Sequence, residues 1–136
     1  MPVVYYNKHF MGGIFMRLKK LDENFTVCKV KDISEVNFEQ DNVFLSKTAE
    51  ELSLVCPSDT VPSNVIERED GFKAFKIDGK LDFSLIGILA PIAKILADNT
   101  IGIFVVSTFD TDYILVKEDK FERALSLLNN AGYQIV

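Results

Sequence analysis

From Gly71 to Val136 the spacing of apolar residues switches between the period of a strand and that of a helix. The order of those switches limits the folds open to the chain. "GFKAFKID" (71–78) carries Phe72, Ala74, Phe75 and Ile77 and reads as a strand. After the "DGK" turn Ser84 is a candidate N-cap, and Leu85, Ile88, Leu89, Ile92 and Leu96 recur at helical spacing. Pro91 falls inside that pattern. A proline there removes a backbone bond, so the helix either bends or starts late. "IGIFVVST" (101–108) is a buried strand by its β-branched content, and "DYILV" (112–116) is its hairpin partner. Asp119 and Glu122 resemble a capping box. Phe121, Ala124, Leu125 and Leu128 then share one helical face, and Gly132 suits the helix end. "YQIV" closes as a strand. The order β-α-β-β-α-β is that of an α+β, ferredoxin-like unit. The pairs Asp70-Gly71 and Asp78-Gly79 read as turns.

The upstream half repeats part of this pattern. "SKTAEELSLVCPSD" (46–59) can be laid on "STFDTDYILVKEDK" (107–120), with Ser46 on Ser107, Glu51 on Asp112 and Val55 on Val116, an offset of 61 residues. "FTVCKV" (25–30) would be the matching first strand. The stretch between it and "NVFLSKT" is too short for a helix with its loops, so the first copy is degenerate. "VPSN" (61–64) reads as the joint, and a repeat of this kind predicts two similar units packing on each other. The expected organisation is an extra segment over 1–15, a shortened unit over 16–66 and a complete unit over 67–136. The opening "MPVVYYNKHFMGGIFM" lacks the charged start and cleavage site of a signal peptide. It is either an added strand or a product of start-site choice, since Met16 opens "MRLKKL" as a natural start would.

Charge and composition narrow the partners. The net charge is −5 and no basic run is visible, which argues against a nucleic-acid backbone as partner. The longest apolar run, 85–93, is far short of the roughly 18 residues that cross a bilayer, so no membrane partner is expected. Cys28 and Cys56, without a secretion signal, read as inert free thiols in a reducing cytoplasm. His9 is the single histidine, and no metal-ligand spacing accompanies it. No nucleophile elbow, phosphate loop or dinucleotide fingerprint occurs. The expectation is a protein that is not an enzyme, with no catalytic residue, no metal and no cofactor.

Two stretches, "LDFSLIGILA" and "STFDTDYILV", carry a resemblance to a known family. Over Met16 to Val136 the chain resembles the small bacterial tandem ACT-domain proteins, which are similar in turn to the ACT domains of the animal cytosolic arginine sensors. "SKTAEELSLVCPSD" looks like their shortened first unit. The resemblance implies a ferredoxin-like ACT unit at the C-terminus packed with a degenerate ACT-like unit. It also implies a regulatory protein that binds a small ligand, an amino acid foremost, where ACT units pair, and that forms a homodimer. The alternative is a structural or protein-interaction module whose ligand site is vestigial.

The residues allow a concrete version of that site. An amino acid's carboxylate suits backbone N–H groups at a helix N-terminus. "SLIGIL" offers Ser84, Ile86, Gly87 and Ile88 there, with Gly87 admitting close approach. Its ammonium suits Asp112, with Thr108 and Phe109 at the strand end. Each has a plainer reading. Gly87 can serve helix-to-sheet packing, Ser84 a cap, Asp110 to Asp112 a turn, and Phe109 an interface anchor. In the first copy Glu50-Glu51 reads as a solvated turn, and Lys47-Thr48 stands where Thr108-Phe109 stands in the second.

Overall fold

A computed structural model describes residues 16–79 and 87–136 of the chain. Residues 1–15, with the question of an added strand, lie outside them, as do Ser84 and Ile86. Among the described residues eight strands and two α-helices make a mixed α+β fold. The strands are β1 (Arg17–Lys20), β2 (Phe25–Val30), β3 (Phe44–Lys47), β4 (Leu52–Pro57), β5 (Val65–Ile77), β6 (Phe104–Ser107), β7 (Asp112–Lys117) and β8 (Gln134–Ile135); the helices are α1 (Leu89–Asp98) and α2 (Glu118–Asn130). The chain forms two compact units. One runs from Glu23 to Phe72; the other joins the described residues before Glu23 to Lys73–Val136. The expected boundary at 66/67 falls inside β5, and residues 16–22 belong with the C-terminal unit.

The C-terminal unit takes the order read from the sequence: the end of β5, α1, β6, β7, α2, β8. Its sheet runs β6-β7-β5-β1-β8. β1 is the addition that the pattern did not predict. It lies between the unit's first and last strands, antiparallel to β5 (Leu18↔Ile77) and parallel to β8 (Leu18↔Ile135). Met16, Leu18, Phe75, Ile77, Ile92, Leu96, Ile114, Val116, Phe121, Leu125 and Leu128 form one buried core.

Helix α1 begins at Leu89, which puts Pro91 in the first turn, where no backbone donor is needed. The late start is therefore realised, and no bend is required. At its end Ile101 N–H donates to Leu96 O (2.8 Å) and Thr100 N–H to Ala97 O (3.0 Å), a Schellman closure with Thr100 at φ 62. Helix α2 corrects the capping-box expectation. It starts at Glu118 after Lys117, no side chain caps it, and Asp119 acts within the first turn on the helix dipole. Its other end follows the sequence: Gly132 has φ 107, and Tyr133 N–H reaches Leu128 O at 3.0 Å.

The N-terminal unit is a four-strand antiparallel sheet, β3-β4-β2 and the first part of β5, without an α-helix. Cys28, Val30, Leu54 and Cys56 form its small core, with Val36, Val43, Leu45 and Val61 packed against them. Asp70-Gly71 is not a turn. Both residues lie inside β5, where the register passes from Phe25↔Phe72 to Val27↔Glu69 and so sets two residues opposite Thr26. Gly71, at φ 85, supplies the backbone of that bulge. Thr26 is buried and donates from Oγ1 to Asp70 Oδ1 at 2.6 Å.

The internal repeat is real in backbone, with a corrected register. Phe44–Lys47 corresponds to Phe104–Ser107 and Leu52–Pro57 to Asp112–Lys117, an offset of 60 and not 61. The two turns carry the same bonds. Thr48 N–H donates to Glu51 O at 3.0 Å, and Thr108 N–H to Thr111 O at 2.8 Å. Thr48 therefore matches Thr108, Ala49 matches Phe109, and Leu52 matches Asp112. The 3-10 turn at Ser58–Thr60 stands where α2 begins in the second copy: Pro57 (φ −55, ψ 139) and Lys117 (φ −58, ψ 140) enter with the same backbone.

Candidate functional site

The C-terminal end of β5 is the place where the predicted site residues have a chance to meet. The chain leaves Ile77 through Asp78 and Gly79, and returns to the described residues at Gly87, just ahead of α1. Asp78 is held by Arg17 through backbone and side chain: its N–H donates to Arg17 O at 2.9 Å and its carboxylate pairs with the Arg17 guanidinium at 3.0 Å. The β6–β7 turn lies at the same end. Thr111 is buried, and its Oγ1 donates to Ile77 O at 2.7 Å. The hairpin turn is thereby tied to the last residue of β5, a contact that spacing alone did not reveal.

Gly87 is exposed, with φ 73, and a Cβ built there would meet no atom within 4 Å. Its role is therefore the left-handed backbone and not close packing against the sheet. Ile88 is buried and N-terminal to α1, whose start receives no side-chain cap. The donors of that first turn have no partner from their own cap residue, which leaves a helix terminus suited to a carboxylate.

Thr108, Phe109 and Asp112 share one hairpin. The Thr108 hydroxyl is occupied by the turn itself: Oγ1 donates to Thr111 O at 3.0 Å and accepts from Thr111 N–H at 3.3 Å. Phe109 sits at the tip, 79% exposed. Asp112 opens β7 opposite Ser107, and its Oδ1 accepts from Ser107 Oγ at 2.6 Å. The alternation of hydroxyls and aspartates in "STFDTD" is thus largely turn chemistry, with one carboxylate presented at the strand end. Beside it Lys76 Nζ lies 5.8 Å from the Tyr113 ring centre. Burial, and then the charge of Asp110, push the Tyr113 hydroxyl above its ordinary pKa. Ser107 and Thr111 are the residues that sequence reasoning missed; no spacing in the turn marks either of them as a partner. Among the described residues no group of three or more His, Cys, Asp and Glu side chains is placed to hold a metal ion, and no helix is long and apolar enough to cross a membrane.

A sheet with two α-helices on a βαββαβ frame defines an α+β, ferredoxin-like module. Residues 67–130 match the ACT domain family. Protein Atu0741 from Agobacterium tumefaciens is 34% identical and superposes with a TM-score of 0.76 over 90% of this chain and 92% of that one. Residues 67–130 are thus an ACT domain, and along nearly its whole length the chain belongs to one family with that protein. VC0802 from Vibrio cholerae, a protein of unknown function, shares the fold at 20% identity and a TM-score of 0.68, over 85% of this chain and 88% of that one. So does the Clostridium acetobutylicum aspartate kinase, at 17% identity and a TM-score of 0.62, with 88% of this chain lying on 35% of that one. A search of curated proteins finds no match.

Proposed function

We propose that the chain is a non-catalytic sensor that binds a small ligand, an amino acid foremost, at a seam between ACT units in a homodimer. The observation that carries this reading is the hydrogen bond from Thr111 to Ile77, which ties the carboxylate-bearing β6–β7 turn to the last residue of β5. The ligand's carboxylate is assigned to the backbone of Ser84, Ile86, Gly87 and Ile88. Its ammonium is assigned to Asp112, with Phe109 and Thr108 at the rim. The ACT family supports a regulatory role, and one aspartokinase of the same fold, from E. coli, was crystallised with aspartate. Arginine belongs in the tested set because of the resemblance to the animal sensors. The setting is a cytoplasmic one.

The test is calorimetry against the twenty amino acids, followed by Asp112→Asn with whichever ligand binds. Asn keeps the shape of the turn and removes the charge. Binding should weaken by about 1.5–3 kcal/mol, roughly tenfold or more, with the melting temperature nearly unchanged. Sedimentation with and without ligand should show a dimer whose stability responds to the ligand. Unchanged affinity in the variant would return the turn to a purely structural role and favour the interaction-module alternative.

A further inference from the structure

Strands β1 and β5 set two lysines directly against each other. Their antiparallel register pairs Leu18 with Ile77, Lys19 with Lys76 and Lys20 with Phe75. Leu18 and Ile77 belong to the core that holds Ile92 and Leu96 of α1 and Leu125 of α2, so by alternation Lys19 and Lys76 stand on the opposite face of the C-terminal sheet. Directly opposed residues bring their Cβ atoms to about 4.5–5.5 Å, and like charges in that position destabilise a sheet.

Nothing described on that face offsets the pair. The chain carries 20 acidic side chains against 15 basic ones, so acids are not scarce. Yet neither Lys19 nor Lys76 takes part in an ion pair among the described residues. The same-face neighbours of Lys76 along the chain are Ala74 and Asp78. Ala74 has no charge, and the Asp78 carboxylate is taken by Arg17 at 3.0 Å. On β7, which pairs with β5, Ile114 and Val116 face the core and leave Tyr113 on the face of Lys76. The Lys76 ammonium lies 5.8 Å from the Tyr113 ring centre. The ring holds that cation in place and supplies no countercharge.

A ligand that neutralises both lysines must bring two negative charges to one spot, within reach of two point charges on flexible stems. Lysine suits a tetrahedral oxyanion in this way, whereas a planar carboxylate is held best by the fork of an arginine. The arginine two positions back along β1, Arg17, is already committed to Asp78. We propose that Lys19 and Lys76 form a binding site for a phosphate monoester dianion, on the sheet face turned away from α1 and α2. This site lies within one unit, and it does not rest on an amino acid binding at the seam proposed above.

Inorganic phosphate and sn-glycerol 3-phosphate are the probes, at pH 8 and constant ionic strength. Titrated into the full-length ¹⁵N-labelled protein, each should shift the amides of Lys19, Lys20, Lys76 and Ile77 in a saturable manner. Dimethyl phosphate keeps the tetrahedral centre with a single charge and should bind at least about tenfold more weakly. Lys19→Gln and Lys76→Gln should each weaken phosphate by about three- to tenfold. Lys94→Gln, which removes a lysine of α1 paired with Asp98, should not. Without phosphate, Lys19→Gln should melt no lower than the parent, because it removes a repulsion. A lower midpoint would show that there is no repulsion to offset and would overturn the proposal. So would absence of shifts at Lys19 and Lys76 with millimolar phosphate, equal binding of dimethyl phosphate, or an effect of Lys94→Gln as large as that of Lys19→Gln. Vesicles of phosphatidic acid in phosphatidylcholine separate a lipid headgroup from a soluble ester. Co-sedimentation with them, while neither soluble probe shifts these amides, would replace the small molecule by a membrane surface and overturn the proposal as well.

Discussion

At the scale of single residues, the two cysteines show how burial sets chemistry that composition leaves open. Cys28 and Cys56 lie in the small core of the N-terminal unit, on β2 and β4. Burial, and then the neighbouring Cys28, push the Cys56 thiol up to about 12. Burial also raises Cys28, against the opposing charge of Arg68. Thiols in this state are poor nucleophiles, so the pair suits packing and not redox work. The sign for stability follows. Below about pH 8.5 a Cys thiol keeps its proton in both folded and unfolded chains, and the raised pKa has no effect. Above that value the unfolded chain releases protons that the folded chain still holds, so stability falls as pH rises toward about 12. Thermal melts from pH 8 to 11 should show a declining midpoint, with a shallower decline in Cys56→Ala. Equal slopes in the two proteins would mean that the thiol does not sense its burial.

At the scale of elements, what the sequence revealed and what it hid divide along a physical line. Periodicity located both helices and the β6–β7 hairpin, because Ile92 with Leu96, and Phe121 with Leu125 and Leu128, repeat at helical spacing on buried faces. Element ends that depend on backbone closure were also legible when glycine was required, as at Gly132. Local motifs misled where tertiary contacts settle the backbone. Asp119 and Glu122 match a cap pattern, yet α2 has already begun at Glu118. Asp70-Gly71 matches a turn, yet Thr26 and the β2 partner hold it as a bulge in a 13-residue strand. The repeat register slipped by one because Ser46 meets Ser107 and Leu54-Val55 meet Leu115-Val116 at an offset of 61, whereas the Thr48 and Thr108 turn bonds coincide only at 60. Of the candidate site, the hairpin carboxylate was legible and the Thr111–Ile77 bond was not, since a buried threonine in a turn has no pattern of its own. Two substitutions test the backbone reading. Gly71→Ala forces a side chain onto φ 85 and should cost about 1–2 kcal/mol, while Thr100→Gly relieves a β-branched residue at φ 62 and should stabilise by up to about 1 kcal/mol. Chemical denaturation of both variants checks the signs; a neutral Gly71→Ala would argue against the bulge.

At the scale of the whole molecule, the strand farthest from its unit in sequence matters most to the C-terminal unit. β1 is followed by the 50 residues of the N-terminal unit before the chain returns at Lys73, and yet β1 lies inside the C-terminal sheet. It bonds on both edges: Gln134 N–H donates to Met16 O at 2.9 Å, Val136 N–H to Leu18 O at 2.8 Å, and Asp78 N–H to Arg17 O at 2.9 Å. Met16 and Leu18 are 1% and 0% exposed and belong to the main core. Removing β1 would therefore expose two core side chains and strip partners from β5 and β8 together, leaving open edges where paired ones stood. A chain beginning at Met16 retains every one of these contacts; if residues 1–15 are a product of start-site choice, it should melt within about 1 kcal/mol of the full-length protein. A chain beginning at Glu23 loses them all. Truncating Leu18 alone to Ala should already cost about 2–5 kcal/mol, and loss of the whole strand more than a domain of this size can spare. Near-ultraviolet circular dichroism and amide dispersion should then report an unfolded C-terminal unit in the Glu23 chain and a native one in the Met16 chain. Native spectra from the Glu23 chain would mean that β5 and β8 can close on each other without β1, and that the inserted strand is an ornament of the ACT frame and not its centre.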